Sequence, residues 1–160
     1  ASDVYKRQPV VNSYKRINAP RTVSGATWSP NSVTYAGDNR THMIRVPGKG
    51  RFEMRLPDGA ANPYLLQASL LAAGLDGLER RINPGAPLDI NMYTEGHKVK
   101  DAKKLPLNLL DAVRALDASD AMPRILGKGL VEPYARLKMA EWNAHCGHLS
   151  EGERQTTLDC

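Results

Sequence analysis

The run Arg51-Phe52-Glu53-Met54-Arg55 alternates charged with apolar side chains. Successive side chains of an extended strand point to opposite faces, so Arg51, Glu53 and Arg55 share one face and Phe52, Met54 and Leu56 the other. The second face is expected in the core. The first presents a carboxylate flanked by two guanidinium groups, each about 7 Å away along the strand. Taken alone, it reads as an exposed strand face laced with salt bridges. Its neighbourhood argues for more. Arg40 and Arg45 stand just upstream in Asn39-Arg40-Thr41-His42-Met43-Ile44-Arg45, and Lys49 lies between the two runs. Four arginines and a lysine around Glu53 exceed the needs of structural pairing. Guanidinium groups grip phosphates and carboxylates bidentately and stay charged at any working pH. A glutamate suits a hard divalent cation that bridges nucleotide phosphates. A site for ATP, Mg2+ (or Mn2+) and an acidic substrate meets every requirement of this set.

Those residues need elements to hold them. Residues 41–46 and 51–56 read as strands joined by Pro47-Gly48-Lys49-Gly50, a connecting loop or hairpin. Ser24-Gly25 and Ser29-Pro30-Asn31 are turn chemistry, and residues 9–60 as a whole read as loops and strands. Pro57-Asp58-Gly59 closes the second strand. Asn62-Pro63 then reads as an N-cap followed by proline at the first helical position, where its missing N–H costs nothing. The helix predicted over 64–82 carries Leu and Ala on nearly every face, which argues for burial on most sides. Asn83-Pro84-Gly85 stops it. A polar stretch without clear period follows over 86–106. Residues 107–116 predict a short amphipathic helix with Leu109, Leu110 and Val113 on one stripe. Residues 118–126 suit another turn or two, ended by Gly127. The last helix is predicted over 131–149, with Tyr134, Leu137, Lys138, Glu141 and Trp142 marking one face.

Bulk properties narrow the class. At 160 residues, 41% hydrophobic and 24% charged, the chain is one globular domain or part of a larger one. Its net charge of +5 is spread among apolar residues before residue 60. It forms no basic run and has almost no aromatics placed to stack on bases, so nucleic acid is disfavoured as a partner. Cys146 and Cys160 have no metal-site spacing and read as reduced thiols. His42, His97, His145 and His148 have none either and read as surface or structural residues. The longest apolar stretch, 64–75, is broken by Gln67, Ser69 and Gly74 and is too short to span a membrane. With no signal-like segment, cytoplasm is the expected location. Residues 1–8 form a polar octet without period and are expected to be a non-native or disordered lead. Residues 9–160 are expected to be a portion of a larger catalytic domain.

Five motifs in order resemble the C-terminal catalytic motifs of the glutamine synthetase family. They are Asn12-Ser13-Tyr14-Lys15-Arg16, Asn39-Arg40, Ile44-Arg45-Val46-Pro47, residues 51–58 and Ala61-Asn62-Pro63-Tyr64. Residues 71–78 and Asn83-Pro84-Gly85 extend the match, which is strong over 9–87 and thins afterwards. Met92-Tyr93, residues 105–110 and Thr156-Thr157-Leu158-Asp159 are similar to one branch, that of type III glutamine synthetase and gamma-glutamylmethylamide synthetase. The resemblance implies an α+β fold in which an antiparallel sheet lines a catalytic cleft and helices pack behind it, with 61–160 helical. It implies ATP-dependent ligation of glutamate to ammonia or a small primary amine through gamma-glutamyl phosphate, in a ring of identical subunits.

By motif position, the resemblance gives Arg16 and Arg55 to substrate glutamate and Glu53 to the metal. It gives Arg40 to the transferring phosphoryl group and Arg45, Arg51 and, less directly, Lys49 to ATP. Tyr14, Asn62 and Tyr64 read as packing and capping residues. Tyr93 lies near the position of a tyrosine adenylylated in some relatives, but Met92-Tyr93-Thr94-Glu95-Gly96 differs from that motif. The family's Gly-Tyr-Glu-Ala-Pro segment is also missing. Residues 17–31, which stand in its place, contain no glutamate and carry Trp28. That substitution puts ammonia and an alkylamine such as methylamine in competition as acceptor. A non-catalytic nucleotide-binding or regulatory paralogue is the reading from another class.

Overall fold

The structure is a computed structural model that describes residues 10–17 and 29–157. Three strands form one sheet in the order β1 (Tyr35–Ala36), β2 (Ile44–Gly48) and β3 (Arg51–Met54). The hairpin β2–β3 is antiparallel, as expected. The short β1 adds to it in parallel, so the sheet is antiparallel only in its hairpin. Gly50 closes the turn at φ 75°, a conformation open to glycine at little cost. The register pairs Arg45 with Glu53 and Gly48 with Arg51, which places one extra residue on β2 between these pairs. Pro47, which has no N–H to give a ladder, falls in that irregular stretch. The hairpin tip stands clear of the core, and Phe52 is 62% exposed. The expectation of Phe52 in the core therefore fails, whereas Leu56 is buried and Met54 half-buried.

Seven α-helices and a 3-10 turn at Gly96–Lys98 complete the described elements: α1 (Val11–Ile17), α2 (Pro63–Glu79), α3 (Met92–Glu95), α4 (Leu109–Asp117), α5 (Ala121–Leu126), α6 (Lys128–Cys146) and α7 (Glu151–Thr157). Helix α1 corrects the reading of 9–60 as loops and strands alone. Its Tyr14 is buried in the helical core, and the Val11 N–H donates to Glu141 Oε1 at 3.1 Å. Tertiary docking thus stabilises a seven-residue helix that propensity alone would leave marginal. Asn62 caps α2 as predicted, its Oδ1 accepting from the Tyr64 and Leu65 N–H groups at 3.0 and 3.1 Å. Asn108 caps α4 through the Asp111 N–H in the same way.

One core cluster joins Tyr14 of α1, Ala73 of α2, Leu109, Ala112, Val113 and Leu116 of α4, Met122 of α5, and Val131 and Ala135 of α6. A smaller one beneath the sheet contains Met43, Leu56 and Leu105. Met54 packs against both and couples the hairpin to the helices. Helix α2 departs from its predicted burial. Ser69, Ala72, Ala73 and Asp76 face inward, but Tyr64, Leu71, Leu75 and Leu78 form an outward apolar stripe, with Tyr64 82% exposed. Among the described residues, no helix is long and apolar enough to cross a membrane.

Candidate active site

The antiparallel register makes Arg45 and Glu53 direct cross-strand partners, which brings their side chains together on one face. Arg45 Nη1 donates to both Glu53 oxygens at 2.8 Å. Parallel pairing of β1 beside β2 carries the following turn, Gly37-Asp38, alongside, and Arg45 Nε donates to Asp38 Oδ1 at 2.7 Å. Arg45 Nη2 also bonds Asp38. The guanidinium is largely enclosed, whereas both carboxylates remain open to solvent.

The hydrogen bond from Arg45 holds the Glu53 carboxyl below the ordinary glutamate range, and the charges of Arg51 and Arg40 add to the effect. The same bonds, from Glu53 first and Asp38 second, push the Arg45 guanidinium up. Glu53 is therefore held as a carboxylate with lone pairs free of its guanidinium partner. Arg40, Arg51 and Lys49 are exposed on the hairpin side of the molecule.

Arg55 is half-buried, and its N–H donates to the Met43 carbonyl at 2.9 Å. Its charge acts on Tyr93, whose hydroxyl is pushed up by burial and pulled the other way by Arg55. The Arg55 charge thus reaches the α3 segment, while those of Arg40, Arg45 and Arg51 act on Glu53. Arg16 lies in the last turn of α1, but its side chain is outside the described residues. Most of the segment 17–31 with Trp28, the lead 1–8 and Leu158-Asp159 are outside them too.

Sequence reasoning missed Asp38, which reaches Arg45 only through the parallel β1–β2 pairing. It read the histidines as structural or surface residues. His42 is fully buried between Thr34 Oγ1 and the Ile90 carbonyl, and His97 and His148 are exposed. Among the described residues, no three His, Cys, Asp or Glu side chains gather as a complete metal site. Glu53 fits one position of a hard-cation site of the kind that takes one or two carboxylates and fills the rest with phosphate and water.

The chain matches the model of the glutamine synthetase catalytic domain over residues 6–157, and it belongs to that family. Among its relatives, the glutamine synthetase of Rhizobium leguminosarum bv. phaseoli is 63% identical over 151 residues, covering 94% of this chain and 35% of the relative. The glutamate–methylamine ligase of Methyloversatilis universalis is 43% identical over 154 residues, covering 94% of this chain and 34% of that enzyme. A solved GmaS–ADP complex superimposes with a TM-score of 0.88 at 58% identity, over 99% of this chain and 37% of that one. The chain spans about a third of the length of these relatives.

Proposed function

We propose that the protein carrying this segment is an ATP-dependent glutamate–ammonia ligase that makes glutamine through gamma-glutamyl phosphate. The observation that supports the reading most is the Glu53 carboxylate, fixed on Arg45 and surrounded by the charges of Arg40 and Arg51. In this reading, Arg40 neutralises the transferring phosphoryl group. Arg51 holds nucleotide phosphate, with Lys49 as a further cation at the turn. Arg45 fixes Glu53 and carries a smaller share of phosphate binding than its motif suggests, because Asp38 and Glu53 already occupy it. Glu53 would hold Mg2+ or Mn2+, which supplies charge neutralisation at the phosphates. Arg55 and Arg16 grip the carboxylates of glutamate.

A glutamate side-chain oxygen attacks the terminal phosphorus of ATP, and the bond to the ADP oxygen breaks. The amine then attacks the acyl carbon, phosphate leaves, and the nitrogen gives up its proton. Catalysis of this kind is mainly positioning and neutralisation of charge, for which preorganised guanidinium groups are suited. The ADP in the related GmaS complex is consistent with a nucleotide at this fold. Homo-oligomeric assembly and a cytoplasmic setting belong to the same proposal.

A second reading, ligation of methylamine or another small primary amine, is favoured by the absence of glutamate from residues 17–31. The test gives the full-length protein ATP and glutamate with either amine and compares kcat/KM. Higher kcat/KM with ammonia supports the first reading, and preference for methylamine at low concentration replaces it with the second. No amide and no amine-dependent ADP release with either would leave a non-catalytic paralogue. The 160-residue chain by itself is expected to form no amide, because it spans only about a third of its relatives.

A further inference from the structure

The turn that presents Arg40 is bonded to the segment entering α3 by the residues on both sides of it. His42 is fully buried. Its Nε2 lies 3.0 Å from the Ile90 carbonyl oxygen, which can only accept, so Nε2 carries the proton. Nδ1 is then an acceptor, and the Thr34 hydroxyl, 3.0 Å away, donates to it. Thr34 is itself tied to β2, its carbonyl accepting from the Ile44 N–H at 3.1 Å.

The Ile90 carbonyl takes a second donor, Asn39 Nδ2, at 2.8 Å. Asn39 Oδ1 accepts from the Thr41 N–H at 2.9 Å and from its hydroxyl at 2.7 Å. Thr41 Oγ1 in turn accepts from the Met92 N–H at 3.0 Å. Residues 39, 41 and 42 therefore all bond the chain at 90–92, and Arg40, between them, is the exposed member of the run. Across that joint, the segment carries Tyr93, on which the Arg55 charge acts.

We propose that His42 is a positioning residue for phosphoryl transfer, bracing the Thr34–Ile90 gap so that the Arg40 turn keeps one place relative to the α3 segment and Arg55. The proposal rests on the ligase reading above. An imidazole suits the role because its two nitrogens, at opposite sides of one rigid ring, satisfy an acceptor and a donor at once. Its loss leaves the Ile90 carbonyl still bonded to Asn39, so the expected result is a loosened turn in a folded protein.

The variants are His42→Leu, which fills the space without either bond, and His42→Gln, which can restore a donor near the Nε2 position. Both are made in the full-length protein. kcat and KM for ATP and glutamate are measured per folded molecule, and amide exchange at Met92 is followed. In His42→Leu, kcat is expected to fall about tenfold with KM values nearly unchanged, since small misplacement of a catalytic group costs turnover. Met92 should exchange faster, and His42→Gln should recover most of both. Wild-type kcat in His42→Leu, activity lost only in proportion to folded protein, or no recovery in His42→Gln would overturn the proposal. If the unmodified protein makes no amide, the ligase reading fails separately. The brace is then judged by exchange, and unchanged protection of Met92 in His42→Leu refutes it.

Discussion

Two knots of arginine and carboxylate lie in different parts of the fold and are built in opposite senses. At the hairpin, an enclosed guanidinium, Arg45, sits between two solvent-open carboxylates, Asp38 and Glu53. Between α2 and α5, an enclosed carboxylate, Asp76, sits between two solvent-open guanidinium groups, Arg80 and Arg124. The residue types are the same, but the exposed partner differs. The hairpin offers carboxylate oxygens to solvent beside the cations Arg40 and Arg51, an arrangement able to receive metal and phosphate. The helical knot hides its acceptor and ties α5 to α2, which is the work of a brace. Which member is buried, more than how many charges gather, separates a charged surface open to solvent from a structural fastening.

Substitutions beside the hairpin knot and within the helical one should divide accordingly. In the full-length protein, Arg40→Ala is expected to lower kcat for amide formation by about 100- to 1000-fold, the scale on which one preorganised electrostatic group contributes to a transition state. Its thermal melt should stay close to that of the unmodified protein. Full turnover in Arg40→Ala would remove Arg40 from the chemistry. Asp76→Ala should do the reverse, costing about 1.5–3 kcal/mol of stability through lost charge-assisted hydrogen bonds, read as a lower denaturant midpoint with turnover per folded molecule unchanged. An Asp76→Ala protein that melts normally but is inactive would dissolve the distinction between the knots.

The smallest effect concerns pH. The Glu53 carboxyl is depressed in the folded chain, so its pairing with Arg45 is present above the ordinary glutamate value and is lost as pH falls through the depressed one. A carbon-detected NMR titration of the Glu53 side chain should show a midpoint below that of an unstructured glutamate. A midpoint at or above it would mean that Arg45 does not hold the carboxylate in solution.

Local rules made much of this readable in advance. Asn62-Pro63 is a cap and an N1 proline in adjacent positions, and α2 begins there. Gly127 adopts φ 83° and ends α5 as expected. The limits were set by contacts between residues distant in sequence. Helix α1 is short and depends on the packing of Tyr14 and the bond to Glu141. Helix α6 begins at Lys128, three residues before its predicted start, and runs through Pro133, which leaves one turn without its usual backbone donor. Helix α2 ends at Glu79, where Arg81 turns to φ 49°, ahead of the Asn83-Pro84-Gly85 stop. Alternation correctly put Glu53 with Arg51, but it could not show that Asp38 joins them, because β1 reaches β2 only through parallel pairing. Nor does alternation say where a core ends, and Phe52 lies past its edge.

The extra residue on β2 has an evolutionary consequence. Shortening the β2 arm at Val46 or Pro47 would straighten the ladder and still leave Arg45 opposite Glu53. Deleting Phe52 from β3, with Gly48 still opposite Arg51 and the extra residue kept on β2, would set Met54 against Arg45 and turn Glu53 to the other face. Length changes in this hairpin should therefore survive on its first arm and at the Lys49-Gly50 tip, while the second arm keeps its residue count even where its apolar members vary.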